Sequence, residues 1–353
     1  MKSGGRSIKK TIKKRIEIKQ VTKMSSRDKL RRGGTPPKGL PVGLVSRNEI
    51  RSGVRVIVPK PPTNSIECII NFNTKRKYVF RSVEQMIMSN YGNLDEYKNT
   101  LVVLGYNITF NINDIRKEYP NRKIVIYQLE QLFDNKSNWY NSKSSDTKLV
   151  SITKHIRRAL EQCDEIWDYD LDNIDFIKSE GITTKIKHVP LEYTSKLIRK
   201  NKIENPKYDL LFFGTINDKR AKYLSKLSKK YNMCIISPNN NIHQQYDFGK
   251  YAIGAIFSDE IYNYIFNSKI IINLHFYDSS IQEQVRLFEL LINNRIVVSE
   301  KSKKNYFGDL IYEFDNDNEM YEKINFILDN EIWKNSTISE DFKNHSFSKL
   351  CII

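Results

Sequence analysis

The sequence predicts an α/β protein made of two successive open parallel sheets, preceded by a basic arm. Three observations carry this. From about Ile66 onward, short apolar strand-like runs alternate with amphipathic helical ones, the pattern of parallel strands joined through helical crossovers. A polar stretch ending in proline, "TSKLIRKNKIENPK", interrupts the alternation, after which it restarts. The positive charge is concentrated at one end. Residues 1–60 hold 18 of the 58 Lys/Arg and three of the 41 Asp/Glu, so the remaining 293 residues, with 40 basic and 38 acidic side chains, carry a net of only +2 out of the chain's +17.

Residues 1–62 are rich in Lys, Arg, Gly, Ser and Pro and have too little apolar material to offset chain entropy, so they are expected to be a disordered basic arm. Such an arm suits an anionic surface or a nucleic acid, or is simply solvated. The first unit is expected over 63–195. "IECIINF" reads as a strand, and "SVEQMIMSNYGNLDEYKNTLVVLGYN" as largely helical with a turn at Tyr91 to Asn93. "RKIVIYQLEQLF" opens as a buried strand and "KLVSITKHIRRALEQCD" is an amphipathic helix; "EIWDYD", "LDNIDFIKSEG" and "TKIKHVPLEY" follow as strand, helix and strand. The second unit is expected over 208–335. It runs from strand "YDLLFFGTIN" through helix "DKRAKYLSKLSKKY", strand "NMCIISP", helix "FSDEIYNYIFNSK" and strand "IIINLHF" to helix "EQVRLFELLI" and strand "RIVVSE". "LIYEF" and the helix "NEMYEKINFILDN" close it, leaving 336–353 as a tail that packs back.

Four scattered cysteines with no CxxC support neither a zinc knuckle nor a disulfide framework, and a reducing, cytoplasmic setting is expected. The basic N-terminus lacks the apolar stretch of a signal peptide, and no run is long enough to span a bilayer, so no transmembrane segment is expected.

In an open parallel sheet, ligands bind beyond the carboxyl ends of the strands. In the second unit those positions are Gly214, Thr215 and Asn217 after one strand, and His275, Tyr277, Asp278, Ser279 and Ser280 after another. Gly214 would let backbone approach a ligand closely. The helix that follows opens near Gln284, where backbone donors favour an anion, and carries Arg286, whose guanidinium suits a diphosphate. Glu289, one turn on, is spaced to accept from the vicinal hydroxyls of a ribose. The same two residues also fit an ordinary i,i+3 ion pair on a solvated face.

"YDLLFFGTINDKRAKYLSKL" and "SKIIINLHFYDSSIQEQVRLFELLINNRIVVSE" resemble the family 1/4-like C-terminal donor domain of GT-B glycosyltransferases, in particular the spore-maturation-type group. "IVIYQLEQL", "ALEQCDEIWDYDLDNIDFIKSEG" and "KHVPLEY" resemble that group's N-terminal segments. The resemblance covers roughly 124–330 and implies two Rossmann-like domains facing a cleft. It further implies Gly214 and Thr215 against the donor phosphates, Asn217 and Arg220 near them, Arg286 on the diphosphate leaving group and Glu289 on the ribose. The expected reaction is metal-independent, hexosyltransferase-like transfer from a nucleotide-sugar to an acceptor hydroxyl on a glycan, protein or small molecule. The nucleotide-sugar is a substrate, and no cofactor is expected. The sequence departs from the family pattern at Glu192, at Asn293 and Asn294 where glycine is common, and in the spacing of Glu283 and Glu289.

Inversion would need a base. Glu130, after a strand of the first unit, and His275, whose ordinary pKa range suits proton transfer, are the candidates. Trp167, Tyr169 and Tyr127 fit either sugar stacking or core packing. The D-x-D patterns at Asp168, Asp170, Asp172, Asp315 and Asp317 are not expected to hold a metal. Other readings weighed are a nucleotide-binding oxidoreductase, disfavoured because no G-x-G-x-x-G follows a strand, a nucleic-acid binder working through the arm, and a non-catalytic scaffold on the same fold.

Overall fold

A computed structural model describes residues 63–345 apart from 71–76, 105–110, 133–155, 201–203, 239–245, 247 and 278–279. The basic arm, Ser279 and the end of the tail lie outside the described residues. Within the body, the α/β architecture expected from the sequence is observed: two parallel sheets with helices packed on their faces.

The first sheet holds β1 (Glu67–Ile70), β2 (Thr100–Leu104), β3 (Lys123–Gln128), β4 (Glu165–Asp168) and β5 (Ile186–His188), hydrogen-bonded in that order. The second holds β6 (Tyr208–Phe213), β7 (Met233–Ile236), β8 (Ala252–Ile253), β9 (Ser268–Asn273), β10 (Ile296–Glu300) and β11 (Tyr312–Phe314), in the order β11-β10-β9-β6-β7-β8. From β6 the chain first builds outward through β7 and β8, then returns to lay β9 on the other side of β6. The boundary between β6 and β9 is therefore a topological switch point, where a crevice opens at the strand ends.

The helices are α1 (Lys77–Asn90), α2 (Ile112–Glu118), α3 (156–162), α4 (Leu171–Ser179), α5 (Asp218–Ser228), α6 (Ile261–Phe266), α7 (Gln284–Ile292), α8 (Asp317–Asp329) and α9 (Ile338–Lys343). Side-chain caps set several of their starts: Asp170 accepts from the N–H groups of Asp172 and Asn173, Asn217 from Arg220, and Asn316 from Glu319. Asn294 takes up the left-handed conformation after α7 at φ 55°, which asparagine tolerates better than most residues.

Strand alternation sorts the apolar residues into layers. Leu210 and Phe212 of β6 face α5 and α8, while Leu211 between them joins a central core that also takes Ile271, Val297, Val102, Val125 and Trp167. That core contains residues of both sheets. Between them lie Phe80, Val83, Met86 and Ile87 of α1 and Leu287, Phe288, Leu290 and Leu291 of α7. A third cluster packs α2, α3 and α4 on the opposite face of the first sheet.

One expectation is corrected. The helix read through "NTLVVLGYN" ends at Asn90, and Thr100–Leu104 is a strand buried at every residue. A fully buried strand shows no polar alternation, so its apolar run blends into the helical pattern before it; the β-branched Thr100, Val102 and Val103 were the available signal. Trp167 and Tyr127 are wholly buried and pack against each other, with Trp167 also against Tyr91 and Tyr97, which excludes them as exposed sugar platforms.

Candidate active site

A cavity of about 450 Å³ lies beyond the carboxyl ends of both sheets. Its walls come from the residues immediately after four strands: Leu129 to Gln131 after β3, Tyr169 after β4, Gly214 and Thr215 after β6, and Phe276 and Tyr277 beyond β9. Val285, Arg286 and Glu289 of α7 and Phe80 of α1 also line it, as do Pro238 after β7, Ile256 and Phe257 after β8, and Tyr262 and Ile265 of α6. Hydrogen bonds that tie the halves together around it include Gln131 Nε2 to Ile281 O at 3.0 Å, Gln284 Nε2 to Tyr169 O at 2.9 Å, and Leu171 N to Tyr306 Oη at 2.9 Å.

The polar floor is built around Glu283. Its carboxylate bridges Arg220 Nη2 at 2.7 Å and Arg286 Nη2 at 2.9 Å. Burial pushes the Glu283 carboxyl up, but the Arg286 and Arg220 guanidiniums and His275 more than offset this and hold it below the usual carboxylate range. Arg220, whose side chain is 2% exposed, spends its other donors on Leu274 O and Thr215 O. Burial pulls its guanidinium down to about 10, with Glu283 opposing, so it stays charged at neutral pH. Arg220 thus fixes the backbone on both sides of the switch point. Arg286, 17% exposed, is held by Glu283 and by Asn273 Oδ1 at 3.1 Å, with its guanidinium 5.4 Å from the Phe213 ring centroid.

Gly214 is the close-approach point. Its φ of +142° is one that side-chain-bearing residues rarely adopt, and a Cβ there would lie 3.0 Å from Arg286 Nη2. The backbone donors at the start of α7 are partly spent: Gln284 N–H goes to Gln282 O at 2.8 Å and Arg286 N–H to Glu283 O at 3.0 Å. Positive charge at the cavity is therefore carried mainly by Arg286.

Glu289 does not pair with Arg286. Its carboxylate accepts from Ser82 Oγ at 2.5 Å and Arg199 Nη2 at 3.4 Å. Arg199 in turn lies over the Tyr262 ring at 3.4 Å and meets Asp259 at 3.2 Å.

Of the residues singled out in the sequence, Gly214, Thr215, Arg220, Tyr277, Arg286, Glu289 and Glu130 line this cavity. Three are placed elsewhere. Asn217 caps α5 and donates to Phe276 O at 2.8 Å, holding the loop after β9 instead of reaching the cavity. Gln284 is fully buried and bridges Tyr169 O and Leu191 N, a strut between the halves. His275 is 1% exposed with Nε2 3.4 Å from Ser302 Oγ; burial pulls its pKa down, against the opposing pull of Glu283 and Glu300. The Glu130 loop is held from below. Asn173 donates to Glu130 O at 3.1 Å and accepts from Leu132 N at 2.9 Å, and Gln128 pairs with both backbone groups of Glu130.

Sequence reasoning did not give Glu283, Ser82, Arg199 or Phe80 a role at the site. Glu283 carries a local signal, three residues before Arg286 at the start of a helix. Ser82 and Arg199 lie 207 and 90 residues from Glu289, so no spacing announces them. Among the described residues no group of three His, Cys, Asp or Glu is placed to hold a metal ion, and no helix is long and apolar enough to cross a membrane.

No protein-family model matches the chain. Uncharacterized protein R358 of Acanthamoeba polyphaga mimivirus is 27% identical over 183 residues, 52% of this chain and 51% of that protein, so the chain spans about half the length of the curated relative it matches. Among solved structures, TarM is similar at 12% identity with a TM-score of 0.45, over 74% of this chain and 57% of that one, again less than two thirds of its length. An alpha-glucosyltransferase in complex with UDP-glucose and DNA containing an abasic site is similar at 13% identity with a TM-score of 0.48, over 78% and 82% of the two chains. An alpha,alpha-trehalose-phosphate synthase (UDP-forming) from Burkholderia xenovorans is similar at 12% identity with a TM-score of 0.46, over 78% and 75%.

Proposed function

We propose that the chain is a GT-B-type glycosyltransferase, moving a hexose from a nucleoside-diphosphate sugar to an acceptor hydroxyl. The observation that carries this is the convergence of Gly214, Arg286 and Glu289 on one cavity at the β6/β9 switch point. The glycine lets a diphosphate approach the backbone, and the guanidinium neutralises the charge that develops as the nucleoside diphosphate departs. The carboxylate accepts from ribose hydroxyls. In this reading Glu130, in the cavity-lining loop after β3, takes the acceptor proton, and the acceptor enters from the side of the first sheet.

Calorimetric titration with UDP, GDP, their sugar forms and NAD tests the donor assignment. The expected result is that one nucleoside diphosphate binds the parent and that Arg286→Ala and Glu289→Ala each weaken it about tenfold or more. Release of the diphosphate from the matching sugar form, undiminished by EDTA, tests turnover without a metal. If no nucleotide binds, or if both variants bind like the parent, the proposal fails.

A further inference from the structure

We propose that Ser82, on α1, is a positioning residue for ribose recognition, so that the nucleotide site is assembled across both halves of the molecule and not within the second half alone. The inference rests on the assignment of Glu289 given above. Ser82 Oγ donates to Glu289 Oε2 at 2.5 Å, and Arg199 Nη2 meets Oε1 at 3.4 Å. Each carboxylate oxygen is therefore gripped by one donor from outside α7.

An ionised carboxylate offers about four acceptor positions, and these contacts use one on each oxygen, leaving one on each for a ligand. A ribose presents two neighbouring hydroxyls, and accepting from both requires the carboxylate plane to be fixed before the ligand arrives. A glutamate side chain left to itself samples many rotamers, at a cost in binding. Ser82 removes that freedom because it cannot itself move. It is 8% exposed, and Val83, Met86 and Ile87 of the same helix are buried in the core that also holds Leu287 and Leu291 of α7. Phe80, one turn earlier on α1 than Val83 and Glu84, lines the cavity, so the helix that supplies the grip also supplies wall.

A helix-to-helix tie with no part in recognition would make the Ser82–Glu289 bond matter for stability only. Ribose discrimination separates the two roles. Dissociation constants are measured for UDP and GDP beside their 2′-deoxy counterparts, on the parent, Ser82→Ala and Ser82→Thr, together with the Tm of each. The expected result is a parent that prefers the ribonucleotide. Ser82→Ala loses about three- to tenfold of that preference while binding the deoxy form nearly as the parent does, and Ser82→Thr, which keeps the hydroxyl, restores it. Should Ser82→Ala fail to fold, Ser82→Cys, with a weak donor of similar size, carries the same comparison.

Equal weakening of both nucleotides, or no change in either, overturns the positioning role and leaves the donor site standing. A parent that binds ribo- and deoxynucleotides alike removes the ribose role of Glu289 and this inference with it. A parent that binds no nucleotide overturns the donor-site reading itself.

Discussion

Arg286 and Glu289 sit one turn apart on the same helix and face the same cavity, yet they do not pair: Arg286 goes to Glu283 at 2.9 Å, and Glu289 to Arg199 at 3.4 Å. The two opposite charges are thereby kept apart, each with its own local partner, and both remain on the cavity wall. Glu283 is central to this separation because it holds Arg220 as well.

Removing that charge has a pH signature. The two guanidiniums and His275 keep the folded Glu283 carboxyl below its usual range against the cost of burial. A depressed carboxylate contributes stability that is fully present above its unfolded pKa, about 4.3, and lost as pH falls through the folded value. Glu283→Gln is therefore expected to cost about 2 kcal/mol at pH 7, as two buried-side guanidiniums lose their counter-charge. The gap in Tm should shrink as both proteins are taken below the unfolded value. A gap that stays constant with pH would show that the loss comes from packing and not from charge.

Gly214→Ala attacks the site through geometry alone. The φ of +142° strains any side-chain-bearing residue, and the new methyl would sit 3.0 Å from Arg286 Nη2, so the guanidinium must shift off Asn273 and Glu283. The expected outcome is a loss of about 1–3 kcal/mol of stability and about a tenfold or greater weakening of nucleotide binding. Titration of the folded variant with parent-like affinity would remove Gly214 from the site.

How much of this was legible depended on distance along the chain. Five strands of the second sheet, β6, β7, β9, β10 and β11, were readable because they are short apolar runs bounded by polar turns, whereas β8, two residues at Ala252–Ile253, is too short to leave a pattern and was not read. Gly214 and Arg286 could be named because each follows directly from its own strand or helix start. β2 was lost because five buried residues in a row follow a helix of similar composition. Gln284 was misplaced because a buried bridging glutamine and a phosphate-facing one look the same in sequence; only the positions of Tyr169 O and Leu191 N tell them apart. The Ser82 contact to Glu289 had no local trace at all, since it forms only when α1 and α7 dock.

Glu130 is set apart from the other carboxylates by the way its loop is held. Asn173 and Gln128 fix the backbone of Glu130. Glu130→Gln is expected to lower kcat by about 10²–10⁴-fold if the carboxylate is the base, with nucleotide affinity unchanged. An unaltered kcat sends the search for a base to the acceptor side of the first sheet.

Asp168 carries the opposite pH signature to Glu283. It is fully buried, and burial raises its carboxyl well above the usual range, against the pull of hydrogen bonds from Asp170 N–H at 2.8 Å and Asn173 Nδ2 at 3.2 Å. Both bonds go to Oδ1, while Oδ2 has no hydrogen-bond partner among the described residues. An acid whose folded pKa is raised binds its proton more tightly in the folded state, so stability falls as pH climbs from the unfolded value, about 3.9, toward the folded one. Asp168→Asn keeps the Oδ1 acceptor and removes the titration. The variant should melt about 2 °C or more above the parent at pH 8, and its advantage should vanish near pH 4. A variant less stable than the parent at every pH would mean that the charged form is favoured in the fold, and that Oδ2 has a partner whose loss outweighs the cost of burying charge.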